Sequence, residues 1–142
     1  MTIYIDTSFL VSLYSPDANS VAAARAIQGS AGDRFITTFG ELEFLNALEL
    51  RVFRKESSLA QTRASRDDFV KDLRDGVFQL RGLSDEIFDR ARQLAQQTTS
   101  KLGTRTADLL HVAAAVELGA DYLYTFDLQQ RKLAGALRLK VN

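Results

Sequence analysis

The chain has 142 residues, the size of one ordinary domain, and 46% of them are hydrophobic, which is enough for a packed core. It contains no cysteine, so disulfide frameworks, thiolate zinc sites and cysteine nucleophiles are excluded. Its 18 basic and 18 acidic side chains balance, without the basic excess usual in nucleic-acid-binding proteins. With a single histidine, any metal site must use mainly oxygen ligands, which favours magnesium or manganese over zinc or copper.

The N-terminal segment, MTIYIDTSFLVSLYSPD, lacks the features of a targeting sequence. It has no basic region, and Asp6 interrupts the stretch that would have to be apolar. We therefore expect a cytoplasmic protein that does not enter a membrane. Because there is no proline-, glycine- or serine-rich linker and no repeat, we expect residues 1–142 to form a single domain.

Strands and helices are predicted in alternation along the chain. Five runs rich in β-branched or aromatic residues predict strands at Thr2–Asp6, Arg34–Thr38, Val77–Leu80, Tyr122–Phe126 and Leu137–Val141. Helical periodicity or alanine-rich composition predicts helices at Ser20–Gln28, Glu41–Lys55, Leu59–Arg74, Asp85–Thr98 and Arg105–Leu118. This order predicts an α/β fold around a mostly parallel five-stranded sheet, with a small helical cap beside it.

Four acidic residues are candidates for a site at the carboxyl edge of this sheet, where open parallel sheets bind ligands. Asp6 ends the first strand, Asp127 follows the fourth, and Glu43 lies early in the helix after the second. The strand order alone does not place Asp108 at that edge. Two carboxylates about 5 Å apart repel by roughly 3 kcal/mol at an effective dielectric near 20. A cluster of four therefore favours a divalent cation, which can activate water and neutralise charge on a phosphate.

The segments that carry these acids resemble the motifs of the PIN-domain family, and within it the VapC-type toxins of prokaryotic toxin–antitoxin pairs. The resemblance lies in IYIDTSFLVSLY, in TTFGELEFLNAL, in TRTADLLHVAAAVELGADYLYTFD and in the tail LQQRKLAGALRL. Each motif is short, but all four of the family's motifs occur in order at fitting separations. The resemblance covers nearly the whole chain.

The resemblance implies a three-layer α/β/α PIN fold and magnesium-dependent endonucleolytic cleavage of RNA, with Mn²⁺ as a possible replacement for Mg²⁺. It also implies a cognate antitoxin protein and a homodimer as partners. The catalytic and metal-binding residues would be Asp6, Glu43, Asp108 and Asp127. The auxiliary residues would be Thr7, Ser8, Asn46 and Thr125. Thr7 and Ser8 could bond a metal-bound water or the phosphate, or could instead cap the first helix.

Glu41 is the rival of Glu43 for the second acidic position. Thr38 and Glu41 fit a capping box, in which Glu41 folds back onto the start of its helix. That structural role for Glu41, together with the Asn-Ala-Leu context, favours Glu43 as the metal ligand.

Structural alternatives exist for the other candidates. Asp6 and Asp127 could be helix caps or turn residues, and Asp108 could pair with Arg105. We expect His111 to be a packed histidine that orients a neighbour, outside the catalytic set. The acids within and directly after the predicted helix Leu59–Arg74 are expected to form a solvated face: Asp67, Asp68, Asp72 and Asp75. Five basic residues could contact phosphate or simply be scattered over the surface: Arg51, Arg54, Lys55, Lys101 and Arg105.

Two alternative functions stay open. One is a nuclease outside a toxin–antitoxin system, acting in RNA processing or on structured DNA. The other is a PIN-like scaffold that binds RNA or protein without cutting. Dinucleotide-binding, P-loop and serine-hydrolase motifs do not occur in the sequence. The RNA target and the number of metal ions are not predicted.

Overall fold

A computed structural model describes all of residues 1–142. The strands are β1 (Thr2–Ile5), β2 (Asp33–Thr37), β3 (Gln79–Arg81), β4 (Tyr122–Tyr124) and β5 (Lys140–Val141). The helices are α1 (Thr7–Tyr14), α2 (Ser20–Gly29), α3 (Thr38–Phe53), α4 (Leu59–Arg74), α5 (Asp85–Leu94), α6 (Ser100–Leu102), α7 (Thr106–Glu117) and α8 (Leu128–Ala136). A π-helical turn, Ala95–Thr99, joins α5 to α6. None of the helices combines the length and the apolar character that crossing a bilayer requires.

The five strands form one sheet in the order β3-β2-β1-β4-β5, and every neighbouring pair is parallel. Successive side chains of the central strand β1 point to opposite faces. Tyr4 packs into a core with residues of α5, α7 and α8, whereas Ile3 and Ile5 pack into a second core with residues of α1 to α4. The predicted three-layer α/β/α architecture around a parallel sheet is therefore confirmed.

The helices α3 and α4, which precede the third strand, were among those expected to form a cap. They pack against each other and against α1. Phe69 of α4 is buried in the same core as Phe44 of α3 and Ile3 of β1. The pair therefore belongs to the helical layer on that face of the sheet.

The direction of α7 settles the position of Asp108. The helix ends at Glu117, and the chain then enters β4 beside the start of β1, where the backbone N–H of Asp121 donates to the carbonyl of Thr2 (2.8 Å). Its last turn thus lies at the amino edge of the sheet, so its first turn lies at the carboxyl edge. Asp108, in that first turn, is therefore at the same edge as the ends of β1 and β4.

Most element boundaries differ from prediction by up to three residues; for example, α3 begins at Thr38 rather than Glu41, and β3 spans Gln79–Arg81 rather than Val77–Leu80. The helix predicted over Asp85–Thr98 changes to π-helical geometry after Leu94, whose carbonyl accepts from the hydroxyl of Thr98 (2.6 Å). The predicted fifth strand is shorter at its start, because Arg138 turns the chain with a φ of 58°. The helices α1 and α8 were not predicted; each begins directly after a strand-end aspartate.

Candidate active site

An open cleft of about 630 Å³ lies at the carboxyl edge of the sheet. All four predicted acids line it, and we refer to them as the cleft acids: Asp6, Glu43, Asp108 and Asp127. Thr7, Ser8, Arg105 and His111 also line it. The fold thus brings together acids from four separate parts of the sequence, as the sequence analysis expected.

Asp6 is fully buried and is the most enclosed of the cleft acids. Its carboxylate accepts hydrogen bonds from the hydroxyls of Ser8 (2.8 and 2.9 Å) and Thr125 (2.7 Å) and from the backbone N–H of Phe9 (2.9 Å). Burial raises the pKa of Asp6, although nearby His111 and these hydrogen bonds act in the opposite direction. A cation at the cleft would stabilise the ionised form that burial disfavours.

Asp6 and Asp127 are helix caps as well as cleft acids. Asp6 caps α1 through the Phe9 N–H, and Asp127 caps α8 by accepting from the N–H groups of Gln129 (2.8 Å) and Gln130 (3.0 Å). The cap of α1 is therefore Asp6 and not the alternative considered for Thr7 and Ser8. Capping uses Oδ1 of each carboxylate, while Oδ2 of Asp6 accepts from the hydroxyls of Ser8 and Thr125 and Oδ2 of Asp127 lies near Arg105 Nη2.

Thr125 connects two of the cleft acids. It is buried, its hydroxyl donates to Asp6 Oδ2, and its oxygen accepts from the backbone N–H of Asp127 (2.9 Å). Ser8 Oγ also accepts from the N–H of Phe126 (3.0 Å). Thr125 does not line the cleft itself, so its contribution is to fix the strand-end acids relative to each other.

Glu43 projects from α3 and is half-buried at the cleft. Its Oε1 accepts from the hydroxyl of Thr7 (2.8 Å) and lies 2.5 Å from His111 Nε2. Burial raises the pKa of Glu43, but the hydrogen bonds and charge of His111, Thr7 and Arg105 outweigh it, so the net pKa is lowered. The pKa values of Asp6 and Glu43 are therefore shifted in opposite directions, and Glu43 is the more readily ionised of the two.

The capping box predicted for α3 is wrong. The helix begins one residue earlier than that pattern requires, so Thr37 is the N-cap and its hydroxyl accepts from the N–H of Gly40 (3.0 Å). Thr38 is exposed, and Glu41 has no capping role. Glu43 lines the cleft and Glu41 does not, so the geometry favours the same glutamate for a different reason.

Asn46 lies outside the cleft, as Thr125 does, whereas the auxiliary residues Thr7 and Ser8 line it. It is exposed in a groove between α3 and α4, next to Leu45 and Thr62. Ala47, one residue further along, is the position of this turn that faces the cleft. The motif match identified the right helix but not the side of it that Asn46 occupies.

Asp108 is 1% exposed and pairs with Arg105, the structural partner considered for it. Its Oδ2 accepts from the backbone N–H of Arg105 (3.1 Å) and lies 3.4 Å from Arg105 Nε. Arg105 Nη2 lies 3.5 Å from Asp127 Oδ2. The Arg105 side chain is 73% exposed, so solvent screens these ion pairs and they contribute little stability.

The cleft acids match magnesium in kind, because all their donor atoms are oxygens. As the side chains stand, no group of three or more acidic or histidine residues is close enough to share a metal ion. Hydroxyls, backbone N–H groups and Arg105 bind the carboxylates instead. The exposed guanidinium of Arg105 lies between Asp108 and Asp127.

Two further cleft residues bear on ligand binding. Arg54 was one of five basic candidates, and it lines the cleft with Arg105, whereas Arg51 pairs with Glu56 (3.6 Å).

Gln130 was not predicted as a cleft residue. It is 5% exposed, it lines the cleft, and its Oε1 has no hydrogen-bond partner. Its position in the first turn of α8, three residues after Asp127, would have indicated that it lies near the cleft, but that helix was not predicted.

Comparisons with known proteins agree with this geometry. The sequence matches the PIN domain over residues 3–136. No curated protein sequence gives a significant match.

Three solved structures illustrate the structural similarity. Mycobacterium tuberculosis VapC20, described as a sarcin–ricin loop cleaving toxin, is 17% identical with a TM-score of 0.70, over 94% of each chain. VapBC2 from Rickettsia felis, bound to a DNA fragment from its promoter, is 14% identical with a TM-score of 0.70, over 100% of this chain and 98% of that one. VapBC-1 from nontypeable Haemophilus influenzae is 16% identical with a TM-score of 0.62, over 100% and 97%. At these identities the likeness shows the fold, and with the match over residues 3–136 it establishes that the chain belongs to the PIN domain family.

Proposed function

We propose that this protein is a magnesium-dependent endoribonuclease and the toxin of a toxin–antitoxin pair. The observation that carries the proposal is the convergence of the four cleft acids, from four separate elements, on one cleft of a PIN fold. The similarity to VapC20, described as cleaving the sarcin–ricin loop, supports RNA as the substrate. The similarity to VapBC structures supports an antitoxin as the partner.

The cleft acids would hold the magnesium ion, or manganese in its place. When bound, the ion supplies an activated water and neutralises charge on the scissile phosphate. No side-chain nucleophile is needed, which agrees with the absence of cysteine. The four carboxylates are not equivalent: Asp6 accepts from the partly buried Ser8 and the buried Thr125, whereas Asp108 and Asp127 pair with the exposed side chain of Arg105.

The substrate would be bound by the cationic and amide groups around the acids. Arg54 and Arg105 line the cleft and are suited to phosphate oxygens. Gln130 presents a side-chain amide, which can bond a base edge or a ribose hydroxyl. Neutral net charge is thus compatible with RNA binding, since two of the basic groups are placed at the site itself.

Exposed apolar side chains provide surface for protein partners. Phe53 at the end of α3 is 83% exposed and Leu42 on the same helix is 66% exposed. Aromatic side chains such as that of Phe53 are enriched in the buried centre of protein–protein interfaces. We propose that the antitoxin and a second copy of the chain, forming a homodimer, cover such surfaces.

The direct test is RNA cleavage with magnesium by Asp6→Asn and Asp108→Asn. Each change removes one ionised ligand while preserving side-chain shape, so we expect cleavage to fall by about 100-fold or more. Asp67→Asn is the matched control because Asp67 is exposed on α4, away from the cleft; its rate should be unchanged. Full activity of both cleft variants would contradict the proposal. Sequencing the RNA ends after brief expression in cells would identify the target.

A second candidate, an RNA-binding PIN scaffold without cleavage activity, is favoured by one observation. The cleft acids are bound by protein donors and do not form a group ready to share a metal. Magnesium titration by calorimetry separates the two functions. A nuclease shows binding that Asp6→Asn or Asp108→Asn abolishes, whereas a scaffold binds RNA and takes up no magnesium at the cleft.

A further inference from the structure

His111 is the single histidine of the chain, and its two ring nitrogens both contact polar side chains, which a histidine that only packs in the core would not need. It lies on α7, one turn after Asp108, and is 1% exposed. Its Nδ1 lies 2.8 Å from the hydroxyl of Tyr4, and its Nε2 lies 2.5 Å from Glu43 Oε1. Both ring nitrogens are thus used, one toward the core of the sheet and the other toward a cleft acid.

The carboxylate of Glu43 fixes the direction of the hydrogen bond at Nε2, and in a neutral imidazole this also fixes the direction of the bond at Nδ1. The carboxylate of Glu43 can only accept, so Nε2 must carry the hydrogen in that bond. The hydroxyl of Tyr4 has one hydrogen to donate and can give it to Nδ1. Tyr4 can in turn accept from the hydroxyl of Thr37 (3.3 Å), whose oxygen already accepts from the N–H of Gly40.

The result is a relay in which every donor is used once. It runs from Gly40 through Thr37 and Tyr4 to His111 and ends at Glu43. The fold leaves little spare room around it. A Cβ on Gly40 would lie 3.3 Å from Thr37 Oγ1 and 3.5 Å from His111 Cε1. The start of α3 therefore fits closely against the ring.

We propose that His111 is a positioning residue: Tyr4 holds it as the Nε2–H tautomer, and it fixes Glu43 in the orientation that faces the cleft. Thr7 supplies a second donor to the same oxygen, so Oε1 is held and Oε2 is left for a ligand. A fixed carboxylate loses less rotational freedom when it binds a cation, so the relay would raise metal affinity. Only this last step rests on the proposed function.

The tautomer can be tested without metal or substrate. Long-range ¹H–¹⁵N correlation of the imidazole in the full-length, metal-free protein gives one set of signals, because there is one histidine. We expect a protonated Nε2 and an unprotonated Nδ1, and we expect Tyr4→Phe to shift the Nδ1 signal. A ring protonated at Nδ1, or an Nδ1 signal that ignores Tyr4→Phe, would overturn the relay.

Two substitutions test the effect on Glu43. Glutamine places its amide nitrogen near the position of Nε2, whereas asparagine reaches only that of Nδ1. We expect His111→Gln to retain magnesium affinity within about threefold and His111→Asn to weaken it by about 10-fold or more, measured by calorimetry. Equal affinities in folded His111→Gln and His111→Asn would show a purely structural histidine and overturn the proposal.

The matched control is Phe39→Leu. Phe39 packs against the His111 ring with centroids 5.4 Å apart but takes no part in the relay, so its change should alter thermal stability and leave magnesium affinity unchanged. A protein that neither binds magnesium nor cuts RNA would refute the proposed function, while the tautomer measurement would still decide the relay. If the Tyr4→Phe protein is folded and its imidazole spectrum is unchanged, the proposed relay is wrong, even if the protein is an active nuclease.

Discussion

The cleft acids and the acids of α4 are two sets of four carboxylates that the fold treats in opposite ways. The cleft acids come from separate elements, and Asp6 and Asp108 among them are buried. The acids of α4, among which we count its C-cap residue Asp75, follow one another along a single helix, and Asp67, Asp68 and Asp75 are exposed. Acids that are clustered in sequence are solvated at little cost, whereas acids that the fold buries need donors or a cation. The dispersed set is therefore the one that indicates function.

One acid of α4 departs from this pattern. Asp72 accepts a 2.5 Å hydrogen bond from the hydroxyl of Tyr14, which lies on α1 and packs against Phe44 and Phe69. This contact joins two helices of one layer and requires no ligand. Within α4, then, a partly buried carboxylate has a structural role, and it lies on the face turned toward the core.

The largest difference between the two sets should be the response of stability to magnesium. A ligand that binds only the folded state at 100 times its Kd adds about 2.7 kcal/mol to the free energy of unfolding, which is several degrees in Tm for a domain of this size. We expect this gain in the unmodified protein and in Asp67→Asn, and its loss in Asp6→Asn. Thermal unfolding with and without magnesium measures it. The same gain in all three proteins would place the metal outside the cleft.

A smaller effect is expected at the one structural acid of α4. Tyr14→Phe removes the hydrogen bond to Asp72, and because Tyr14 is only partly buried we expect a loss of about 1 kcal/mol at pH 8. Tyr122→Phe is the control, since no hydrogen bond within the protein involves its hydroxyl. Urea unfolding at pH 8 measures both.

The same bond should be lost in alkali. Burial, followed by the hydrogen bond and charge of Asp72, raises the pKa of Tyr14 above its ordinary value near 10. Because the folded-state pKa is the higher one, the stabilisation is complete below pH 10 and is lost as the pH rises beyond it. Above pH 10 the difference between the unmodified protein and Tyr14→Phe should shrink. Tyr4, whose pKa burial also raises, is present in both proteins and cancels. A constant difference from pH 8 to pH 11 would contradict the assignment.

Sequence patterns predicted the parts of the fold that local interactions determine. The predicted bounds of α4 agree with the structure, because Ser58 and Gln61 form a capping box that fixes its start. The helices α1 and α8 were not predicted, although helix capping was one alternative considered for Asp6 and Asp127. Each of these residues follows or ends a predicted strand and also caps a helix, and the residues after it were not assigned as helical.

The candidate site was predictable in its acids and unpredictable in their partners. The motifs located the four cleft acids by residue type and order. The hydrogen bond from Thr125 to Asp6 joins residues 119 positions apart, and no local pattern encodes it. Asn46 was misplaced because a motif fixes the spacing along a helix but not which neighbouring helix covers each side. Gln130 was missed because α8 was not predicted, so its position in the first turn after Asp127 was not recognised.

The smallest effect is expected for the exposed pair on α4 between Lys71 and Asp75. Lys71 Nζ lies 3.0 Å from Asp75 Oδ2, and both side chains are more than half exposed. An ion pair one helical turn apart in water gains little after the side chains lose their rotational freedom, and salt screens the remainder. We expect Asp75→Asn to leave both the urea midpoint and RNA cleavage unchanged within error. Loss of cleavage in this variant would show that the charges of α4 affect RNA binding. The acids of α4 could then no longer be described as solvated residues without a function.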